Sequence, residues 1–391
     1  MSGDPIVRIA ARGDGVSAGG QHRAFAVPGD VIQADGTLIE GLGHRVPPCR
    51  HFPECGGCQL QHLTDAAYAD YCASRIVGAL AQHNLATEVR PAHLSPPRTR
   101  RRASLRALRA GGRVLIGFNA AKSHDIIDML ECHVLDPRLF ALVAPLRKLL
   151  AAMMAKRASA DIQLALTDQG VDVALKGVAV EGLDAVEALT AFCEQYSLAR
   201  LTIDDGYGPE PRYEPGRVTI SLSGHPVAFP SGSFLQATAD GEVALVAAVR
   251  EAVGGAKRPL DLFAGLGTFA LALEGEVTAA EAARDAVLAL LATRRVTAVH
   301  RDLYRRPYDL AELNAHDAVI LDPPRAGAVE QVKQLAASSV ARIAYVSCNP
   351  ASFARDAEAL VAGGYRLDWV KPVGQFRWST HVELASAFSR Q

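Results

Sequence analysis

From about residue 259 onward, short apolar runs recur along the chain: RPLDLFA, GEVTAAE, RVTAVH, HDAVILD and RIAYVSC. Helical segments separate most of them. Buried strands alternating with helices predict a parallel sheet with crossover helices, an α/β fold. Between residues 98 and 230 the pattern differs. ASLRALRAGGRVLIGF, DIQLALTDQGVDVALKG and VTISLSGHPVAF mix alternating stretches with helices, which predicts an antiparallel sheet carrying helices. Residues 64–85 show apolar positions at helical spacing, with Thr64 and Asp65 as candidate caps. Residues 5–45 are short strand-like runs broken by Gly and Asp, as in a small β-barrel. The expected domains are therefore a barrel over 1–46, a central α+β domain over 47–235 and an α/β domain over 236–391.

Composition narrows this little. The chain has 391 residues, 49% of them hydrophobic, and a formal net charge of −1, enough for two or three domains. No apolar run approaches the roughly 20 residues of a membrane span. The first residues, MSGDPIVRIAARGDG, lack the apolar core of a signal peptide. A cytoplasmic protein is expected, without a membrane partner, and a monomer. One segment is strongly basic: RTRRRASLRALRAGGR, residues 98–113, holds seven arginines and no acid. Arginine repeated on one strand face would suit phosphate contacts.

The chain has seven cysteines, and their spacing says more than their number. Cys49, Cys55 and Cys58 lie in CRHFPECGGC, and Cys132 stands apart in DMLECHVL. A C-x5-C-x2-C set with one distant cysteine offers four thiolates, which zinc or an iron–sulfur cluster could use. Cys72 and Cys193 fall in helical stretches beside apolar residues and read as packing. Cys348 is different. It ends the strand AYVSC, where Asn349-Pro350 forces a turn, as a nucleophile at the mouth of a sheet would.

DLFAGLGTF reads as strand, glycine turn and helix. Gly265 and Gly267 let the backbone approach a ligand, and the helix start supplies free N–H groups. The further glycine of the dinucleotide fingerprint is missing. Glu281, Asp302 and Asp322 fall at successive strand ends, where open parallel sheets bind ligands. Glu281 would take ribose hydroxyls, and Asp302 would accept from an adenine amine. Together they fit S-adenosylmethionine better than NAD. LDPPRAG follows Asp322. Its two prolines fix the chain and hold Asp322 and Arg325 in place.

These residues together resemble the RNA 5-methyluridine (uracil-C5) methyltransferase family over nearly the whole chain. The resemblance implies a Rossmann-like methyltransferase domain, an α+β central domain and a short TRAM-like (OB-type) barrel that contacts RNA. It places the S-adenosylmethionine contacts at Gln236 in SGSFLQAT, Phe263, Gly265, Thr268, Glu281, Asp302 and Asp322. SCNPASFARD makes Cys348 the nucleophile, and STHVELAS makes Glu383 the general base. Asp322 and Arg325 would meet the uridine. Cys49, Cys55, Cys58 and Cys132 match the 4Fe–4S ligands of the ribosomal branch, which implies 23S rRNA as substrate. The family commonly has Asn at the positions of Thr268 and Thr238, and transfer-RNA relatives carry an aromatic near Leu105.

The chemistry requires these residue types. Carbon 5 of uracil is a poor nucleophile until a thiolate adds to carbon 6, and a base must afterwards remove the carbon-5 proton. The target uridine must be flipped out or come from a loop. Two other readings remain: a transfer-RNA uracil-C5 methyltransferase, and an inactive RNA-binding protein holding iron–sulfur or zinc.

Overall fold

The computed structural model describes residues 3–390. The chain divides into two compact units: one gathers residues up to 47, 60–95 and those from 240 onward, the other 48–59 and 96–239.

The first unit is built on a nine-stranded sheet. Strands Thr297–His300, Thr278–Glu281, Pro259–Leu262, Ala318–Leu321 and Arg342–Ser347 lie side by side in that order, all parallel. All five match apolar runs in the sequence. Glu383–Ser389 then pairs antiparallel with both Arg342–Ser347 and Arg366–Gly374. Residues along Ala318–Leu321 are all buried because both sheet faces are covered. Val319 and Leu321 pack in one core with Tyr68, Val332 and Phe353. Ala318 and Ile320 pack in another with Leu245 and Val249 of helix Ala239–Val253.

Residues 60–95 belong to this unit rather than to a central domain. Strands Glu88–Val89 and His93–Leu94 extend the sheet beside Arg366–Gly374. Helix Asp65–Ala81 buries Tyr68, Tyr71, Cys72, Ile76 and Leu80 on one face. Thr64 caps it, its hydroxyl accepting from Ala67 N–H at 3.3 Å. Near the N-terminus, strands Asp4–Ile9, Gly15–Ser17, His22–Arg23, Val31–Ile32 and Leu38–Ile39 form a curled antiparallel half-barrel. Most of these strands have two or three residues, which leaves the small barrel expected from the sequence as a half-barrel.

In the second unit a six-stranded sheet runs Pro209–Tyr213, Arg200–Asp204, Gly170–Lys176, Ser159–Thr167, Arg102–Ala110 and Arg113–Gly117. Leu105, Ile162 and Leu175 pack against Leu146 and Leu150 of helix Val143–Met153 and Cys193 of helix Leu183–Gln195. Leu105 is thus a core residue and presents nothing to a base. The arginine run does not form one cationic face. Arg106 pairs with Asp161, Arg109 donates to the Met154 carbonyl, and Arg101 Nε donates to the Gln236 carbonyl at 3.0 Å. Alternation along the strand and the turn before it send these guanidiniums in different directions.

Candidate active site

Strand register brings the candidate residues to one edge of the first unit. Leu262 pairs with Leu321 and Ala280, and Leu321 with Tyr345. The carboxyl ends of these strands are therefore level. Phe263, Glu281, Asp322 and Cys348 all leave the sheet at its C-terminal edge, where open α/β sheets bind ligands.

The glycine turn forms one part of this edge. Phe263, Gly265 and Gly267 have φ of 63°, 55° and 88°, a left-handed backbone that glycine adopts at little cost. A Cβ on Gly267 would stand 2.4 Å from Leu290 Cδ2 of helix Arg284–Thr293, so glycine also lets helix and turn close. A Cβ on Gly265 would meet nothing within 4 Å, which leaves an open cradle above the turn. Glu281 braces the cradle. Its Oε2 accepts from Gly265 N–H at 2.9 Å, and its Oε1 accepts from Ala283 N–H at 2.7 Å. The remaining lone pairs of the carboxylate can accept from ribose hydroxyls. Asp302 caps the next turn, accepting from Tyr304 N–H at 3.0 Å, and the Tyr304 ring lies 5.6 Å from that of Phe263. Thr268 is half-buried beside the turn. The cradle, the aromatic pair and the carboxylates fit an adenosyl group.

One residue of this site escaped sequence reasoning. Asp261 is fully buried within strand Pro259–Leu262. Its Oδ2 accepts from Ala270 N–H at 2.9 Å and ties the strand to the segment after the turn, while Oδ1 has no hydrogen-bond partner. Burial, with Glu281 nearby, pushes its pKa up to about 7. An acid inside the apolar run PLDLF was the available signal. Asp261 folds with a raised pKa, so its contribution to stability is complete below the ordinary carboxylate value and is lost as pH rises through about 7. Asp261→Asn keeps an acceptor for Ala270 but does not titrate. Thermal unfolding of both proteins between about pH 4 and 8 checks this. The wild-type Tm is expected to fall relative to the variant across that range, and parallel curves would contradict it.

The thiol lies a few strands away. Cys348 ends strand Arg342–Ser347, and Asn349 caps helix Pro350–Ala362, its side chain accepting from Ala351 N–H. Ser347 pairs with Leu384, which brings Glu383 next to Cys348. Glu383 is buried, and its Oε2 accepts from Gln375 Nε2 at 2.8 Å. Asp322 is close enough to both to act on them: its carboxyl is held well above the usual range by burial, then by Glu383 and Asp261. Burial pushes Cys348 up to about 11, the Glu383 and Asp322 charges add to this, and Arg325 opposes it. The nucleophile candidate therefore rests as a thiol at neutral pH. The Pro323-Pro324 loop is fastened to the helix after Cys348, because Asn349 Nδ2 and Ser352 Oγ both donate to the Arg325 carbonyl at 3.0 Å.

Gln236 lies in the second unit, buried with its carbonyl held by Arg101. Cys49, Cys55, Cys58 and Cys132 lie there as well. Cys55 N–H donates to the His51 carbonyl, and Gly56 N–H to that of Asn119. Burial raises the Cys55 and Cys132 pKa values, each with Cys49 close enough to add to the rise. Arg100 is lowered by burial and stands near Cys58 and Cys132. Even so, no group of three or more His, Cys, Asp or Glu among the described residues has a metal-holding arrangement.

Similarity to known proteins agrees with this geometry. Residues 295–391 match the tRNA (uracil-5-)-methyltransferase family. An uncharacterized RNA methyltransferase of Zymomonas mobilis subsp. mobilis is 49% identical over 98% of this chain and 99% of its own. A 23S rRNA (uracil(1939)-C(5))-methyltransferase of Shewanella piezotolerans is 32% identical over 93% of this chain and 89% of its own. The chain belongs to the RNA uracil-C5 methyltransferase family. Family members are S-adenosylmethionine-dependent, and open α/β sheets bind ligands beyond the carboxyl ends of their strands. The tRNA (uracil-54, C5)-methyltransferase of Pyrococcus abyssi, in complex with S-adenosyl-L-homocysteine, shares the fold, with a TM-score of 0.75 at 23% identity over 99% of this chain and all of that one. No helix among the described residues is long and apolar enough to cross a membrane.

Proposed function

We propose that this protein methylates carbon 5 of a uridine in 23S rRNA through a covalent adduct on Cys348. The observation that carries the proposal is the convergence of Cys348, Glu383, Asp322 and Arg325 at one sheet edge, where each of the other three acts on the Cys348 thiol.

The methyl donor is S-adenosylmethionine, which supplies an electrophilic methyl on a sulfonium. Glu281 and Asp302 would hold its adenosyl part, with Phe263, Gly265 and Thr268 shaping the turn. Cys348, once deprotonated, adds to carbon 6 of the flipped uridine, and the electron pair moves onto the ring as an enolate. Carbon 5 then takes the methyl. Glu383 removes the carbon-5 proton, the double bond re-forms, and Cys348 leaves with its electron pair. A protonated Asp322 can donate to a uracil carbonyl that gains charge, and Arg325 offers N–H donors to the ring or a phosphate. Because the resting thiol is protonated, it must lose its proton to solvent before addition, a loss that Arg325 favours and the Glu383 and Asp322 charges oppose.

Ribosomal RNA is favoured over tRNA by the Shewanella relative and by the four cysteines. We assign these to a 4Fe–4S cluster because the donor set is all sulfur and the Arg100 cation lies beside Cys58 and Cys132. The half-barrel is assigned to RNA contact, in a cytoplasmic monomer. Mapping 5-methyluridine in rRNA and tRNA from a strain lacking the gene tests the substrate: one 23S position should lose its methyl. Loss confined to tRNA would select the transfer-RNA reading.

A further inference from the structure

The Pro323-Pro324 loop is not held by its prolines alone. Helix Pro350–Ala362 grips it at consecutive carbonyls and amides. Arg355 Nη2 donates to the Ala326 carbonyl at 2.8 Å, just beyond the Arg325 carbonyl held by Asn349 and Ser352. Asp356 completes the grip. It is 2% exposed, and its Oδ2 accepts from Ala328 N–H at 2.8 Å and from the Tyr345 hydroxyl at 2.6 Å. Its Oδ1 accepts from Arg355 Nη2 at 2.7 Å. The grip leaves no room on the loop side. Gly327 has φ of 82°, and a Cβ there would lie 2.5 Å from Arg355 Nη2 and 2.6 Å from Asp356 Oδ2.

We infer that Asp356 is a positioning residue for methyl transfer, setting the 325–328 loop so that Arg325 stands correctly against Cys348. The inference rests on the functional reading above. Its physical basis is the carboxylate's capacity to accept four hydrogen bonds at once: one from Ala328 in the loop, one from the Tyr345 hydroxyl and two from Arg355. The same helix begins directly after Cys348, so one rigid element fixes both the thiol and the opposing loop. The bond from Ala328 N–H is the direct hold of this carboxylate on the loop.

Three variants separate positioning from packing, assayed with total RNA from the deletion strain. Asp356→Asn replaces one acceptor with a donor and cannot satisfy Ala328, Tyr345 and Arg355 together. Gly327→Ala pushes the same contact from the loop side. Tyr345→Phe removes one bond from the same carboxylate but leaves the Ala328 bond in place. The first two should lower kcat/KM for RNA by about 10- to 100-fold, as small misplacements of reacting groups do. Their Kd for S-adenosylmethionine should stay within about twofold. Tyr345→Phe should lower Tm while keeping kcat/KM. If Asp356→Asn does not fold, Gly327→Ala carries the test alone. The inference is overturned if Asp356→Asn and Gly327→Ala lose Tm as Tyr345→Phe does but keep kcat/KM. Turnover retained in Cys348→Ala would instead overturn the underlying reading.

Discussion

Glu383→Gln is expected to trap a protein–RNA adduct, and Cys348→Ala to form none. The two residues act at opposite ends of the same sequence of steps. Cys348→Ala has no thiol to add to carbon 6, so methyl transfer should fall to background. Glu383→Gln keeps the thiol, the glycine turn and the neighbouring Gln375. Addition and methylation can proceed, and the species then stalls because nothing removes the carbon-5 proton. The adduct should survive denaturing electrophoresis and carry label from the methyl group. The double variant should show no adduct. Glu383 is also one of two carboxylates that raise the Cys348 pKa, so its neutral replacement favours the thiolate and does not slow the first step. Free turnover by Glu383→Gln, or an adduct that persists without Cys348, would refute the assignment.

The second large effect concerns the cysteines of the other unit. Anaerobically purified protein should contain about four irons and four sulfides per chain and absorb near 400 nm. Cys55→Ala should lose the cluster and most of the soluble yield. Metal binding of this kind supplies folding free energy, and without it Cys58 and Cys132 remain beside the Arg100 cation with no metal to hold them. One zinc and no sulfide would replace the cluster with a structural zinc site. A protein that folds and yields normally without metal would leave these cysteines as packing.

Much of the sheet edge was legible in the sequence because its signals are local. A buried strand ending at Cys348-Asn349-Pro350, acids at strand ends and a Gly-x-Gly turn each occupy a few adjacent residues. The structure places them at level strand ends. What the sequence hid was contributed by distant segments. The upward shift of Cys348 comes first from burial, then from Glu383 on another strand and Asp322 on another loop. Asp356 was visible within SCNPASFARD, but its hold on Ala328 is set by how two elements pack. Glycine spacing revealed the turn but not Asp261 beneath it. Residues 88–94 join the sheet through two-residue strands, which are too short to carry a periodicity in the sequence. The arginine run misled for a similar reason, since composition does not show that Arg106, Arg109 and Arg101 each have an internal partner.

The central claim is that carbon 5 of a uridine in 23S rRNA loses its hydrogen as it gains the methyl. Transcripts carrying tritium at carbon 5 of uridine, incubated with carbon-labelled S-adenosylmethionine, measure both events in one reaction. The account predicts one tritium released for each methyl incorporated into 23S rRNA, and neither with Cys348→Ala. Methyl incorporated without tritium release would place the modification at another atom and contradict the account.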